Sequence, residues 1–322
     1  MPENSVSLDN VTKRYGAFTA VDNLSFGVVK GEIYGFLGPN GAGKTTTLRM
    51  MLDIIQPSAG AVTVLGSNSA IAVRRRIGYL PEERGLYRKM KAVDSITYFS
   101  QLRGLPRAAA KARAYQLLEQ FGQEKFAKSK NEALSKGMAQ KVQLLATIAH
   151  EPELLILDEP FSGLDPINQQ TLEELIREQQ RNGRTIIFST HVMQHAERLC
   201  DRFLIIADGK KRFEGTLAQA RENFAHRIHV RTKAHADALE KMPGVVALRV
   251  ENNPSSGGET SFEIELASEA DPQAFLREAV NAGIDLSRFE QAGANLHDIF
   301  VALAGDAAAS PEISPPALEA AE

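Results

Sequence analysis

Residues 38–46 constrain this chain more than any other segment, because they match the pattern G-x-x-x-x-G-K-[ST]. Gly41 and Gly43 carry no Cβ, so the backbone can turn sharply and bring its amide groups against phosphate oxygens. Lys44 can then reach the β- and γ-phosphates, and Thr45 can offer its hydroxyl to Mg²⁺. The segment therefore predicts binding of a nucleoside triphosphate. The residues expected to contact it are Gly38, Pro39, Asn40, Gly41, Ala42, Gly43, Lys44, Thr45 and Thr46.

The flanks of this loop are those that a phosphate site needs. Residues 32–37 form a short apolar run that predicts a buried strand, and residues 46–52 predict a helix. The amino end of that helix would face the phosphates with its unpaired amide groups and the positive end of its dipole.

Composition narrows the class of protein. The 322 residues, 43% of them hydrophobic, are enough for two domains with a real core. A net charge of −3 provides no basic field, so we expect no nucleic-acid partner. The single cysteine, Cys200, fits a reducing compartment. No apolar run approaches the roughly 18 residues that span a bilayer, so any membrane role would be exercised from outside the lipid.

The first two thirds of the chain predict a parallel sheet covered by helices. Residues 154–157 and 185–188 are short apolar runs of the kind found in central parallel strands, and a helix at 171–181 between them completes a βαβ unit. We expect this α/β domain to span residues 1–222. Further strands are predicted at 6–15, 20–29 and 77–81, helices at 93–104, 108–121 and 136–150, and a hairpin at 203–211.

Residues 223–305 predict a second, smaller domain. Strand and helix patterns follow one another in the order βαββαβ, which is the ferredoxin-like arrangement, and a last helix covers 296–304. Residues 306–322 are rich in Ala, Pro, Ser and Glu, so we expect a disordered tail.

Four more segments carry chemistry beyond the phosphate loop. Two carboxylates end the apolar run at 154–157, a Leu-Ser-x-Gly segment precedes that run, and a Ser-Gly-Leu-Asp segment follows it. A histidine closes the run that begins at 185. In this order and spacing, the segments resemble the ATP-binding subunits of ABC transporters. The residues that carry the resemblance, besides the phosphate loop, are Ser135, Lys136, Gly137, Met138, Asp158, Glu159, Asp165 and His191.

The resemblance implies the fold, the nucleotide and the catalytic roles. The fold would be an ABC-type P-loop NTPase with a mixed sheet and a helical subdomain, and the nucleotide would be ATP. Asp158 would hold Mg²⁺ together with Thr45, and Glu159 would orient or deprotonate the attacking water. His191 would reach the γ-phosphate.

Two of the segments imply a dimer. Ser135, Lys136, Gly137 and Met138 resemble the ABC signature, whose commonest form is L-S-G-G-Q and which meets the γ-phosphate held by the opposite subunit. The chain departs from that form at Lys136 and Met138 but keeps the serine and glycine. Taken alone, Leu-Ser-x-Gly is equally typical of a plain helix cap. Asp165 corresponds to the residue of the D-loop, which touches the partner subunit.

The adenine contact is left open between two aromatic residues. The resemblance places an aromatic ring ahead of the phosphate loop, where it stacks on adenine. Tyr15 is the expected residue, and Phe18 is the alternative, with Tyr15 then packing in the core.

Glu82 is a departure from the family. Most members have glutamine at this position, where it contacts Mg²⁺ and the membrane partner. A carboxylate can also bind Mg²⁺, so we count Glu82 as a third candidate ligand. The surrounding Leu-Pro-Glu-Glu-Arg-Gly-Leu-Tyr sequence, with Leu-His-Asp-Ile-Phe at 296–300, resembles a subgroup associated with sodium and drug exporters.

The chain is therefore expected to be the Mg²⁺-dependent ATPase subunit of an exporter. It would pair as a homodimer or a heterodimer and bind a separately encoded integral membrane permease. It would lie peripherally at the cytoplasmic face of the membrane and be soluble alone.

Three alternatives are weaker. Ribosome-acting ABC ATPases usually carry two phosphate loops in one chain, and this chain has one. DNA-repair members carry a long coiled coil between the loop and the signature, where this chain has too few residues and no heptads. An importer subunit would be expected to end in a regulatory barrel of short strands, a pattern that the last hundred residues do not show.

Overall fold

The computed structural model describes residues 3–83, 85–222, 226–252, 259–267, 270–292 and 294–305. Contacts divide the chain into two compact units. The first runs to Glu214 and also takes in residues 303–305, and the second is Gly215–Ala302. The domain boundaries expected from the sequence, after residues 222 and 305, stay predictions. The expected disordered tail, residues 306–322, lies outside the described residues.

The first unit contains nine strands and six α-helices in its described residues. Short 3₁₀ turns lie at Arg74–Arg76, Glu124–Phe126 and Asn131–Ala133. The strands are β1 (Asn4–Tyr15), β2 (Phe18–Val29), β3 (Ile33–Leu37), β4 (Ala59–Val64), β5 (Ile77–Leu80), β6 (Leu154–Asp158), β7 (Thr185–Thr190), β8 (Arg202–Ala207) and β9 (Lys210–Gly215). The helices are α1 (Lys44–Met51), α2 (Ala92–Leu102), α3 (Arg107–Gln120), α4 (Lys136–Ile148), α5 (Pro166–Arg181) and α6 (Met193–Leu199).

Two sheets organise this unit. A six-stranded sheet has the order β5-β6-β7-β3-β8-β9, and its pairs from β5 to β8 are parallel. Strands β3, β6 and β7 are buried along their whole length, as their apolar sequences predict. Parallel strands bring their carboxyl ends to one edge, so the segments that follow β3, β5, β6 and β7 meet there. That edge carries the candidate site.

A three-stranded antiparallel sheet, β2-β1-β4, packs against the first through a common core. The ring of Phe26 on β2 stacks on that of Tyr34 on β3, with centroids 5.7 Å apart and planes within 11°. Phe26 also contacts Phe36 at 5.7 Å. Aromatic pairs of this kind bury large apolar areas, so they tie the antiparallel sheet to the strand that precedes the phosphate loop.

Within the first unit, the structure corrects the secondary-structure predictions in three places. Helix α5 begins at Pro166 instead of residue 171, because Asp165 caps it by accepting a hydrogen bond from Asn168 N at 2.9 Å, and proline suits the first turn. Strand β4 was not predicted, since its sequence Ala-Gly-Ala-Val-Thr-Val alternates weakly. Helix α6 was also missed, because seven residues show too little periodicity.

The second unit has the ferredoxin-like order predicted for it. Its four strands form a sheet in the order β11-β12-β10-β13, in which every adjacent pair is antiparallel. Apolar residues on one face of this sheet, such as Ile228 and Ile264, form a separate core with helix residues such as Phe275. The elements are α7 (Leu217–Arg221), β10 (His226–Thr232), α8 (Ala236–Glu240), β11 (Val245–Asn252), β12 (Thr260–Leu266), α9 (Pro272–Asn281), β13 (Leu286–Ala292) and α10 (Leu296–Ala304).

Across the parts of the chain that the structure describes, no helix combines the length and the apolar character that crossing a bilayer requires.

Candidate functional site

An open cavity of about 350 Å³ lies at the carboxyl edge of the six-stranded sheet. It brings together the residues predicted to bind nucleotide, with the exception of Gly38, the first residue of the loop, which does not line the cavity. The lining consists of Tyr15, Phe18, Ala20, Pro39, Asn40, Gly41, Ala42, Gly43, Lys44, Thr45, Thr46, Glu82 and Glu159.

The loop conformation requires its glycines. Gly41 and Gly43 have φ values of +78° and +100°, in the left-handed region that side chains with a Cβ avoid. A Cβ on Gly43 would also lie 2.6 Å from the carbonyl oxygen of Ala20. Gly43 caps helix α1, so the amide groups at the start of that helix face the cavity, as a phosphate cradle needs.

Lys44 is a buried cation at this edge. It is 6% exposed, and its Nζ donates hydrogen bonds to the carbonyl oxygens of Gly38 at 2.7 Å and Pro39 at 3.1 Å. Burial lowers the pKa of Lys44, while the carboxylates of Glu159 and Asp158 act in the opposite direction. The nearest carboxylate oxygen, Glu159 Oε1, is 3.6 Å away.

Asp158 and Glu159 are held in place by Ser189, a residue to which sequence reasoning gave no role. Ser189 Oγ donates to Asp158 Oδ1 at 2.5 Å and accepts from the amide of Glu159 at 2.9 Å. The parallel register of β6 and β7 sets Ser189 opposite Asp158, and the serine before Thr190-His191 was the available signal. Glu159 has a φ of +45°, an uncommon backbone conformation for a residue with a side chain.

Glu159 lies between two basic groups. His191 Nδ1 is 3.0 Å from Glu159 Oε2, while Lys44 is on the side of Oε1. The Glu159 side chain is 8% exposed and that of His191 is 49% exposed. Glu159 Oε1 is buried without a hydrogen-bond partner, which is rare for a carboxylate oxygen. That oxygen is therefore available to a bound water or nucleotide.

Glu82 belongs to the same electrostatic environment. Burial raises the pKa of the Glu82 carboxyl, and the negative charges of Asp158 and Glu159 raise it further. Within the described ranges, no three His, Cys, Asp or Glu side chains converge as a metal centre. Mg²⁺ characteristically takes one or two protein carboxylates and completes its shell with phosphate and water. The hydroxyl of Thr45 and the carboxylates of Asp158 and Glu82 fit a Mg²⁺ ion that arrives with a nucleotide.

Both candidate adenine contacts, Tyr15 and Phe18, line the cavity, and Lys13 Nζ lies 5.0 Å from the centre of the Tyr15 ring. Stacking of adenine on Tyr15 stays a prediction.

The signature residues lie at the start of helix α4 and not in the cavity lining. Ser135 Oγ accepts from the amide of Met138 at 3.3 Å and so caps the helix. A Cβ on Gly137 would lie 2.7 Å from Asn168 Nδ2, and one on Gly163 would overlap the Lys136 ammonium. The starts of α4 and α5 therefore pack together, which brings Asp165 near the signature. Their contact with the nucleotide of a second subunit stays a prediction.

Taken together, the strand, phosphate loop and helix, with paired carboxylates ending the strand β6 of the same parallel sheet, define a P-loop NTPase.

Comparison with known proteins narrows that class. The family model described as ABC transporter matches residues 21–162, and the model for the C-terminal domain of DrrA1-3-like ATP-binding proteins matches residues 215–304. An uncharacterized ABC transporter ATP-binding protein, YhaQ of Bacillus subtilis, is 35% identical over 93% of this chain and 98% of its own. Nod factor export ATP-binding protein I of Paraburkholderia xenovorans is 36% identical, over 95% of this chain and 98% of its own.

A solved structure of an ATP binding subunit of an ABC transporter has a TM-score of 0.62 and 34% identity, and it covers 67% of this chain and 91% of that one. This chain belongs to the family of ABC transporter ATP-binding proteins. The family and the fold expected from the sequence are confirmed, and with them the assignment as an ATP-binding ATPase of ABC type.

Proposed function

We propose that this chain is the Mg²⁺-dependent ATPase subunit of an exporter and acts through a separately encoded membrane permease. The observation that carries the catalytic part is the placement of Glu159 between Lys44 and His191, at the mouth of the phosphate loop. The name of a relative, a Nod factor export ATP-binding protein, supports the direction of transport.

The proposed hydrolysis divides the work among six side chains. Glu159 Oε1, buried and without a hydrogen-bond partner, would accept a proton from the attacking water or orient it. His191 would hold Glu159 through Oε2 and reach toward the γ-phosphate. Lys44 would stabilise the negative charge on the β- and γ-phosphates, and Thr45, Asp158 and Glu82 would hold Mg²⁺. Bound Mg²⁺ would neutralise charge on the phosphates.

The ATP-bound form would be a dimer, homomeric or with a related subunit. Each phosphate loop would face the signature of the other subunit, since Ser135 and Gly137 lie away from the cavity of their own chain. Lys44→Ala should abolish nucleotide binding at its own site, and Ser135→Arg should block hydrolysis at the partner's site.

A mixing experiment tests this arrangement. Neither variant alone should hydrolyse ATP, but an equimolar mixture can assemble one site with an intact loop and an intact facing signature. We expect part of the ATPase activity to return. No recovery at any mixing ratio, with mixed dimers demonstrated by pull-down, would contradict the action across the dimer.

The permease would dock on the segment that follows Glu82. This segment presents Tyr87, which is 55% exposed and packs edge-on against Tyr98 at 5.8 Å and face-on against Phe99 at 6.4 Å. Leu102, on the same helix as Tyr98, is also exposed. Exposed aromatic side chains are enriched at the centres of protein interfaces. Closing of the ATP site could move this segment through Glu82 and so act on the permease.

Cysteine crosslinking tests the docking. Cysteines at Tyr87 or Lys89 should crosslink to a cytoplasmic loop of a co-expressed permease, and the subunit should pellet with membranes only when that permease is present. A cysteine at the equally exposed Val280, in the second unit, serves as the control. Sedimentation with ribosomes, or retention of DNA at physiological salt, without recovery by any membrane subunit would overturn the transporter proposal.

A further inference from the structure

His195 is a buried histidine that the proposed mechanism does not use. It lies on helix α6, its side chain is 3% exposed, and its Nδ1 is 2.8 Å from Glu173 Oε1 on helix α5. A carboxylate can only accept a hydrogen bond, so Nδ1 carries the proton and donates it. Arg198 Nη2 also binds Glu173 Oε1, at 2.8 Å. Glu173 therefore fixes the orientation of the imidazole.

The other side of the imidazole faces the catalytic segment. The His195 ring stacks on Phe161, with centroids 4.0 Å apart and planes within 12°. Phe161 in turn meets Phe188 edge-on at 5.9 Å. Phe161 is two residues beyond Glu159, and Phe188 immediately precedes Ser189, which binds the Asp158 carboxylate and the backbone amide of Glu159. The stack therefore lies directly behind the two groups proposed to act on ATP.

The main chain beyond Glu159 is also held by hydrogen bonds, among them one from the amide of Leu164 to the Phe161 carbonyl at 3.2 Å. The carbonyl of Pro160 accepts a hydrogen bond from Gln140 Nε2 on the signature helix at 3.3 Å, and the amide of Ser162 donates to the Glu159 carbonyl at 3.1 Å. Because Glu159 itself has a positive φ, this turn needs neighbours that hold it. The ring of Phe161, clamped by His195, is its largest buried anchor.

Filling space alone does not account for this arrangement. A leucine or phenylalanine at position 195 would fill the same space without burying an imidazole that needs Glu173 as a partner. Helix α6 begins shortly after His191, which contacts Glu159. The same helix carries His195, which contacts Phe161 in the turn that follows Glu159.

We propose that His195 is a positioning residue for Glu159: held by Glu173, it clamps Phe161 and so sets the backbone that aims the Glu159 carboxylate. The proposal rests on the proposed ATP hydrolysis. It predicts an effect on turnover and not on ATP affinity, because Phe161 and His195 lie outside the cavity lining.

The test compares three variants of the full chain. His195→Ala removes the clamp and should lower kcat for Mg-ATP roughly tenfold, with the KM for ATP within twofold of wild type, because a small misplacement of a catalytic group lowers turnover. His195→Phe keeps a flat ring on Phe161 but cannot bind Glu173, so it should recover only part of that loss. His150→Ala is the control, because His150 is a half-buried histidine that contacts the Ile77 carbonyl at the opposite end of the strands.

Hydrogen exchange of residues 157–165 is the second readout, and it does not depend on activity. Exchange in this segment should be faster in His195→Ala than in wild type and unchanged in His150→Ala. Unchanged kcat, a loss confined to KM, or unchanged exchange would each overturn the proposal, even if the melting temperature falls. A wild-type chain without ATPase activity would refute the proposed function instead, and the exchange measurement would then decide the role of His195.

Discussion

Of the sheets that the structure describes, the six-stranded and the four-stranded sheet place their charged side chains in opposite environments. At the carboxyl edge of the six-stranded sheet, Lys44, Asp158 and Glu159 are buried within a few ångströms of one another. On the four-stranded sheet of the second unit, charged residues alternate with the core residues, and their side chains are half-buried or exposed. Among the described residues there, His229 meets Glu251 at 2.7 Å and Arg227 meets Glu263 at 3.5 Å.

We interpret the buried charges of the six-stranded sheet as ligand-binding groups and the more exposed charges of the four-stranded sheet as solvated surface groups. Burying an ion costs several kcal/mol unless partners compensate, so a buried and incompletely partnered cluster is retained for a purpose. Exposed pairs contribute about 0–1 kcal/mol, because water already solvates both partners. Each prediction below tests whether that contrast holds.

The largest effect is expected at Glu159. Glu159→Gln keeps the shape but removes the proton acceptor, so kcat for ATP should fall roughly 10²–10⁴-fold while ATP still binds. The dimer should remain closed around unhydrolysed ATP, which size-exclusion chromatography with Mg-ATP can detect. Near-normal turnover would show that another residue acts as the base, with His191 as the next candidate.

A half-buried histidine outside the site, His150, tests the effect of burial without a neighbouring ligand site. Burial lowers the pKa of His150 to about 4, and its Nδ1 has no hydrogen-bond partner. Between pH 6.5 and 4 the unfolded chain therefore binds a proton that the folded chain does not. The contribution of His150 to the free energy of unfolding is fully present above pH 6.5. It decreases as the pH drops toward 4, by about 3 kcal/mol at most.

Urea unfolding of wild type and His150→Gln at several pH values measures this contribution. The stability difference between the two proteins should change across the window from pH 6.5 to 4 and be constant outside it. A constant difference throughout would show that His150 does not titrate differently in the folded and unfolded chain.

Substitution of Glu82 should lower ATPase activity less than substitution of Glu159. Glu82→Gln restores an amide that can still bind Mg²⁺ and removes repulsion from the phosphates, so ATPase activity should stay within about tenfold of wild type. Glu82→Ala should impair coupling to the permease more than ATP binding. A Gln variant that cannot bind Mg-ATP would show that the carboxylate is obligatory.

The smallest effect is expected on the open sheet. Arg288 and Glu290 form an ion pair on β13 with side chains more than half exposed. Glu290→Gln should change the free energy of unfolding by less than about 1 kcal/mol, and 1 M salt should erase the change. A loss of several kcal/mol would mean that this face is not simply solvated.

Local sequence patterns predicted the site residues whose role depends on the conformation of a few adjacent residues. The phosphate loop needs glycines at positions with positive φ, so Gly41 and Gly43 could be recognised without a structure. The buried strands before Asp158 and His191 were recognisable from uninterrupted apolar runs. The ferredoxin-like order of the second unit followed from the alternation of its strands and helices.

What the sequence alone determined, therefore, was the chemistry: a nucleotide loop, a carboxylate pair and a histidine, each read from a few adjacent residues. Only the tertiary structure decided which of them meet. Ser189 on β7 binds Asp158 and the amide of Glu159 because the register of β6 and β7 brings together residues about thirty positions apart in the sequence. His195 on α6 contacts Phe161, although α5 and β7 lie between them in the sequence. Such contacts depend on sheet register and helix packing, which are set by the whole core and by no local pattern.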